Sequence, residues 1–325
     1  MRKRRPRSGV SRAMVEESPS RRGRVALISP VRNEQPHIEL VVRAMAEQHR
    51  PPDCWVVVDD GSDDGTLETL RSLEADVPFM SVISTPPGYT EASGDRLAAA
   101  AAPRAFNFGL RTVDWTEFTH IGKLDGDIEL PPDYFERLLR KFDKAPWLGI
   151  AGGVLAERSG DGWRRLNIPR HYVQGALKLY SVECFRAIGG VHECLGWDGI
   201  DGVYARMRGF ETRSFTDLVA RHHRPWGSAD GTLRGRARHG QAAYILHYPP
   251  SFTAVRALKV ARARPRVLSG AAFAYGYARA AVAGDAQVDD PDFRAFVRAE
   301  LRARLRKPLS RLIPPGVRGA HAPSP

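Results

Sequence analysis

The chain has 325 residues, 42% hydrophobic and 26% charged, with a formal net charge of +12 and a pI ≈ 10.0. That length suits one large α/β domain or two smaller ones, and the basic balance points to anionic partners such as phosphates, nucleic acid or an acidic membrane surface. No run reaches the ~18 apolar residues of a spanning helix, and three cysteines without metal spacing (Cys54, Cys184, Cys194) argue for free thiols in a reducing compartment.

The first 24 residues carry nine Arg or Lys against Glu16 and Glu17, with no apolar stretch of the kind a signal peptide needs. This segment and the Pro/Gly-rich C-terminal end are expected to be disordered, because neither buries enough surface to offset ordering entropy. "RVALIS" then reads as a buried strand. Ile38, Val41, Val42 and Met45 recur at i, i+3, i+4 and i+7 and predict a helix, with Pro36 near its first turn. "CWVVVDD" is a second strand. "GSDDGT" is a turn leading to a helix with Leu67, Leu70 and Leu73 on its apolar face, and "FMSVIST" is a third strand. Alternation of strand and helix argues for parallel strands covered by helices, with ligands beyond their carboxyl ends.

"PPGYTEASGD" reads as a loop, followed by a helix over 96–110. "EFTHIGKLD" is a strand ending in carboxylates. A helix opened by Pro131 and Pro132 presents Phe135, Leu138, Leu139 and Phe142, and "LGIAGGVL" is a further strand. The stretch up to "GGVHECLGWDG" is mixed, with loops suited to covering a cleft. A helix over 198–209 has Ile200, Val203, Tyr204 and Met207 in phase, and "TRSFTDLVARHH" is strand-like. The chain beyond Gly231 is basic and helical, broken at Pro249-Pro250 and Pro265. Its run from 267 to 284 is small-residue-rich, interrupted by Arg279, and reads as a buried or interfacial helix.

Four constellations carry chemistry. Asp60 ends a strand where a carboxylate can accept hydrogen bonds from a nucleobase or ribose, while Ser62, Asp63 and Asp64 suit helix capping. No GxGxxG follows the first strand, so a dinucleotide fold is unsupported. Asp125-Gly126-Asp127 suits a hard divalent cation that also contacts substrate phosphates, or a turn that caps the next helix. Asp198 and Asp201 lie three apart at a helix start, where the helix dipole favours the ionised form of Asp198, and plain capping is the alternative. His222-His223-Arg224 suits a metal or phosphate contact, or an exposed strand end.

Taken in order, "LISPVRNE", "VVVDDGSDDGT", "AFNFGL", "KLDGDIELPPDYFERLL", "GALKLYSVECFRAIGG", "GWDGIDGVYARMRGF" and "HHRPWGSADG" resemble family 2 glycosyltransferases over about residues 25–240. The resemblance implies an α/β GT-A fold, a mixed, mostly parallel sheet flanked by helices, with a helical C-terminal extension. It also implies inversion at the sugar, a nucleotide-diphospho-sugar donor and a divalent cation, Mg²⁺ or Mn²⁺. Asp60 matches the aspartate that contacts the base, and Pro30 and Glu34 match the turn beside it. Asp127 would face the metal, and Asp125 the ribose or metal. His222 is a further candidate ligand. Asp198 matches the general base, with Asp201 as the alternative, although Trp197 stands where the family usually has Glu. The absence of a QxxRW motif favours a single addition over a polymerase.

These parallels divide the chain into a basic tail (1–23), a catalytic domain (24–245, with its nucleotide-binding half at 24–128 and acceptor half at 129–245), a helical extension (246–306) and a second tail (307–325). They imply a glycan or lipid-linked acceptor in polysaccharide, glycolipid or cell-envelope synthesis. The basic ends, residues 1–23 and those after Arg306, predict peripheral contact with anionic membrane at its inner face, in a cytoplasmic protein, and no nucleic-acid partner is expected. Two alternatives are a sugar-1-phosphate nucleotidyltransferase, which normally has a Gly-rich basic loop after strand one, and a basic nucleic-acid-binding protein.

Overall fold

The computed structural model describes residues 23–90, 96, 99–224, 231–263 and 265–310, with side chains as far as 305. The expectations for the basic N-terminal tail and for the end of the chain lie outside these residues, apart from their inner margins. Among these residues one nine-stranded sheet forms the frame.

The first half is built as the alternation predicts. β1 (Val25–Val31), β2 (Cys54–Asp59), β3 (Met80–Ser84) and β4 (His120–Leu124) are mutually parallel. α1 (Ile38–Ala46) buries Ile38, Val41, Val42 and Met45. It shares one face of the sheet with α2 (Thr66–Glu74) and α4 (Tyr134–Lys144), while α3 (Ala101–Leu110) covers the other face through Ala105, Phe106 and Leu110. α3 begins later than the expected 96: Ala100 adopts φ 55, outside the helical region, and Pro103 falls in the first turn, where no N–H is needed.

The second half turns the sheet mixed. β5 (Ile128–Glu129) pairs antiparallel with β9 (Glu211–His222). β6 (Leu148–Ser159) pairs parallel with β9 and antiparallel with both β7 (Gly162–Arg165) and β8 (Leu177–Ser181). β8 lies in the stretch that reads as mixed and loop-like in sequence. In fact β8 is inserted antiparallel between β4 and β6, with Lys178 buried. α5 (Val182–Ala187) follows it directly, capped by the Ser181 hydroxyl, which accepts from Cys184 N. α6 (Trp197–Met207) is preceded by Gly196, whose φ of 85 is a backbone conformation that residues with a side chain disfavour.

Four helices follow: α7 (Thr232–Ile245), α8 (Pro250–Val260), α9 (Leu268–Ala283) and α10 (Pro291–Ser310). The proline breaks fall where expected, with Pro250 opening α8 at a position where its missing N–H costs no hydrogen bond. α7 and α10 close a third apolar cluster with α6 through Ile245, Leu246, Phe293, Val297 and Leu301. Among the described residues, no helix is long and apolar enough to cross a membrane.

Candidate active site

The carboxyl ends of β1, β2 and β4 converge with the end of β9. Pro30 sits inside β1 opposite Val58. Its nitrogen faces the β4 side beyond the last β1–β4 pair, Ile28 with Lys123, so no ladder bond is lost. The turn after β1 is stapled to the turn after β2. Ser62 Oγ accepts from Asn33 N (3.1 Å), Asp63 Oδ1 from Asn33 Nδ2 (2.8 Å), and Asp64 Oδ2 from Gln35 N (3.2 Å). Asp64 also accepts from Thr66 N at the start of α2 (3.1 Å). The acidic run therefore serves mainly to lock two loops together. Asp60 is different. It is buried, accepts from the hydroxyls of Thr85 (3.0 Å) and Thr90 (2.6 Å), and pairs with Arg96.

Between Asp125 and Asp127, glycine is required by space, since a Cβ on Gly126 would lie 2.6 Å from Val31 Cγ1. Asp125 pairs with the buried Lys123, whose Nζ also donates to Gly175 O (3.1 Å). Asp127 is buried, and its Oδ2 lies 3.3 Å from His222 Nε2 and 3.5 Å from Arg224 Nε. Pairing of Ile128 with His222 in the β5–β9 ladder brings this about. Burial opposes a charge on His222. The Asp127 hydrogen bond and the charges of Asp127, Asp125 and Glu157 outweigh it and raise the imidazole's pKa. His223 turns away, with Nε2 2.8 Å from Glu129 Oε2. Glu34 pairs with Arg224 through Oε1, while its buried Oε2 has no hydrogen-bond partner.

The expected trio of metal ligands does not converge, and among the described residues no group of three His, Cys, Asp or Glu side chains does. Asp125 is drawn to Lys123 instead. Asp127 and His222 remain. Adjacent ligands of an octahedral ion at ~2.1 Å lie about 3 Å apart, which the 3.3 Å between Asp127 Oδ2 and His222 Nε2 fits. A carboxylate and an imidazole, with phosphates and water completing the shell, suit a divalent cation of the Mg²⁺ or Mn²⁺ kind.

α6 supplies the opposite wall. Asp198, in its first turn, accepts from the Tyr172 hydroxyl, and its carbonyl accepts from Lys178 Nζ (2.7 Å). Burial and the Asp198 charge push the Tyr172 phenol well above its ordinary pKa, so it stays a donor. A cavity of ≈ 330 Å³ is lined by Arg96, Lys123, Asp125, His222 and Asp198, and α7 closes it with Arg236 and His239. A second cavity of ≈ 310 Å³ lies under α10, lined by Arg206, Arg256 and Glu300. Asp198, Tyr172 and His239 line both.

Asp201 points elsewhere. It is 0% exposed, accepts from Lys178 Nζ at 2.7 and 2.8 Å, and accepts from the Tyr180 hydroxyl at 2.5 Å. Three residues apart, the two aspartates lie only about 60° from each other around the helix axis, and their surroundings separate them: Asp198 lines both cavities, whereas Asp201 is enclosed by Lys178 and Tyr180 of β8 and lines neither, which argues against Asp201 as the base. Trp197 lies beside both Lys123 and Lys178, its ring centroid 5.3 and 5.2 Å from their ammonium groups. Sequence reasoning missed Lys123, Lys178, Tyr172 and Arg96. Their only signal was the presence of cations and phenols near the motifs, without any spacing that would pair them.

The Glycosyl transferase family 2 profile matches residues 26–192, just over half of the chain, and the chain belongs to that family. It is thus a glycosyltransferase, which sets aside the nucleotidyltransferase and nucleic-acid-binding alternatives. Among solved structures, the mannosyltransferase PcManGT from Pyrobaculum calidifontis in complex with GDP-Man and Mn²⁺ is similar, with a TM-score of 0.51 and 22% identity over 90% of this chain and 84% of that one. S. aureus TarS in complex with UDP-GlcNAc is similar at a TM-score of 0.47 and 12% identity, over 86% of this chain and 83% of that one. No curated protein sequence matched.

Proposed function

We propose that the protein transfers a sugar from a nucleotide-diphospho-sugar to an acceptor hydroxyl, with inversion at the anomeric carbon and a single addition. The observation that carries this reading is the Asp198 carboxylate, which lines the cavity shared with Asp125 and His222 and also the cavity beneath α10. It therefore stands between a donor side and an acceptor side. On the donor side, Pro30 and Glu34 shape the turn. Asp60 holds Arg96 at the cavity edge toward the base, and Asp125 meets the ribose or diphosphate. Asp127 and His222 would hold the divalent cation, which when bound supplies positive charge to the departing diphosphate.

On the acceptor side, Asp198 takes the proton of the attacking hydroxyl. The hydroxyl oxygen bonds to the anomeric carbon from the face opposite the nucleotide, and the bond to the diphosphate breaks with its electron pair leaving on phosphate oxygen. A positioned base contributes about 10²–10⁴-fold. The Tyr172 hydroxyl orients the carboxylate, and Lys178 on the Asp198 carbonyl fixes the helix start. Asp201 acts as a positioning residue through Lys178. The acceptor is a glycan or lipid-linked glycan of the cell envelope, met at the cytoplasmic face of the membrane.

Titration of UDP, GDP and dTDP with Mn²⁺ identifies the donor class. NMR of the product should show inverted anomeric configuration, and retained configuration would overturn the mechanism.

A further inference from the structure

The outer face of the α8–α9 hairpin has no role in the site or the core. Leu258 is 69% exposed on α8, with Val255 one turn before it. On α9, Leu268, Tyr275 and Val282 recur every seven residues on one face and are 56%, 63% and 90% exposed. The opposite face of α9 is spent on packing. A Cβ on Gly276 would lie 1.8 Å from Ala237 O of α7, and one on Gly270 would lie 2.6 Å from Ala257 O of α8. The helix is thus apolar on both sides while its neighbours cover only one. Scattered exposed leucines are ordinary, but five large apolar side chains left exposed on two neighbouring helices are not.

Charge says what covers it. From Thr232 to Gly284 the sequence has nine Lys or Arg and no Asp or Glu. Of these, Lys259, Arg262, Arg266 and Arg279 are exposed on or between the two helices that carry the five apolar side chains. Acidic residues resume only past the end of α9, where Asp285 accepts from Gln241 Nε2 (2.7 Å). An apolar helix face whose own two helices carry cations and no carboxylates is complementary to the headgroup boundary of an anionic bilayer, where apolar side chains enter the interface and cations meet lipid phosphates. A protein partner would need an apolar face with an acidic rim. A second copy of this hairpin would set cations against cations.

We propose that the α8–α9 hairpin docks on an anionic lipid surface, lying in the plane of the interface through Val255, Leu258, Leu268, Tyr275 and Val282. This is a specific site, separate from adsorption by the basic N-terminal segment, and it does not rest on the donor reading. α7 carries α9 on one side and lines the Asp198 cavity through Gly235, Arg236 and His239 on another. Docking therefore holds that cavity one helix away from the bilayer.

The test uses the full chain and vesicles of phosphatidylcholine alone or with about a quarter phosphatidylglycerol. Wild type should co-sediment with the anionic vesicles only, and less at about 0.5 M than at about 0.1 M salt. Amide exchange in residues 254–283 should slow when the vesicles are added. The variant Leu258→Glu/Leu268→Glu/Tyr275→Glu alters exposed positions only and should bind at least about tenfold more weakly, with unchanged circular dichroism and unchanged Mn²⁺-dependent nucleotide affinity. Wild-type affinity in the folded variant would overturn the proposal by showing that the N-terminal segment alone adsorbs. So would equal binding to phosphatidylcholine, unprotected 254–283 amides, or a wild-type dimer that the substitutions dissociate without any vesicle binding. If the variant fails to fold, the exchange measurement on wild type decides.

Discussion

Two sets of carboxylates meet in this molecule, one at strand ends and one on a helix, and they are neutralised differently. At the ends of β2 and β4, Asp60, Asp125 and Asp127 each face a cationic or protonatable side chain: Arg96, Lys123, and His222 with Arg224. Several of these pairs border the cavity. On α6, the two aspartates divide the work. Asp198 faces the cavities with a phenol as its hydrogen-bond donor, and Asp201 is sealed in the interior with an ammonium and a second phenol. A carboxylate whose cation is buried with it is part of the architecture. One that borders open space beside a neutral donor remains available to accept a proton.

The sharpest way to break this comparison is to remove charge from each α6 aspartate in turn. Asp198→Asn should lower kcat by about 10²–10⁴-fold while leaving nucleotide affinity and the melting curve close to wild type. Turnover near wild type would remove Asp198 from the chemistry. Asp201→Asn should do the reverse and lose about 3–5 kcal/mol of stability, because the buried Lys178 ammonium is left without its counter-charge. Urea unfolding measures this, and a stable Asp201→Asn with wild-type melting would mean that the pair is not sealed.

A pH test probes the frame that holds the strand-end set. Burial against Phe142, and secondarily the Arg50 charge, lowers the His120 imidazole to about 4. The unfolded chain takes up that proton near pH 6.5 and the folded one only near 4, so the contribution to stability is full above about 6.5 and is lost as the pH falls toward 4. The total is about 3 kcal/mol at most. His120→Gln should flatten stability across that window, and an unchanged acid slope would contradict the assignment. The smallest expected effect refines the Asp201 account. Tyr180→Phe removes one of its hydrogen bonds and should cost about 1 kcal/mol, with kcat unchanged. A larger loss in kcat than in stability would mean that Tyr180 also acts on Asp198.

Local patterns carried much of this protein. The alternation of β1–α1–β2–α2–β3, the apolar spacing of α1 and α4, the proline breaks before α8 and α9, and the placement of Asp60, Asp125, Asp127 and Asp198 at element ends all follow from side-chain periodicity and turn chemistry within a few residues. Only the tertiary structure decided which partner each charge has. Lys178 reads as a surface residue until β8 is inserted between β4 and β6 and meets α6. Trp197 reads as a lost acid until its ring is found beside two lysines. Asp198 and Asp201 look interchangeable in sequence, since both belong to the first turns of one helix. Their difference arises because burial and ion pairing depend on what packs against each side chain, even on one side of a helix. Those neighbours come from β8, from the Tyr172 loop and from helices more than thirty residues away, and no local spacing encodes them.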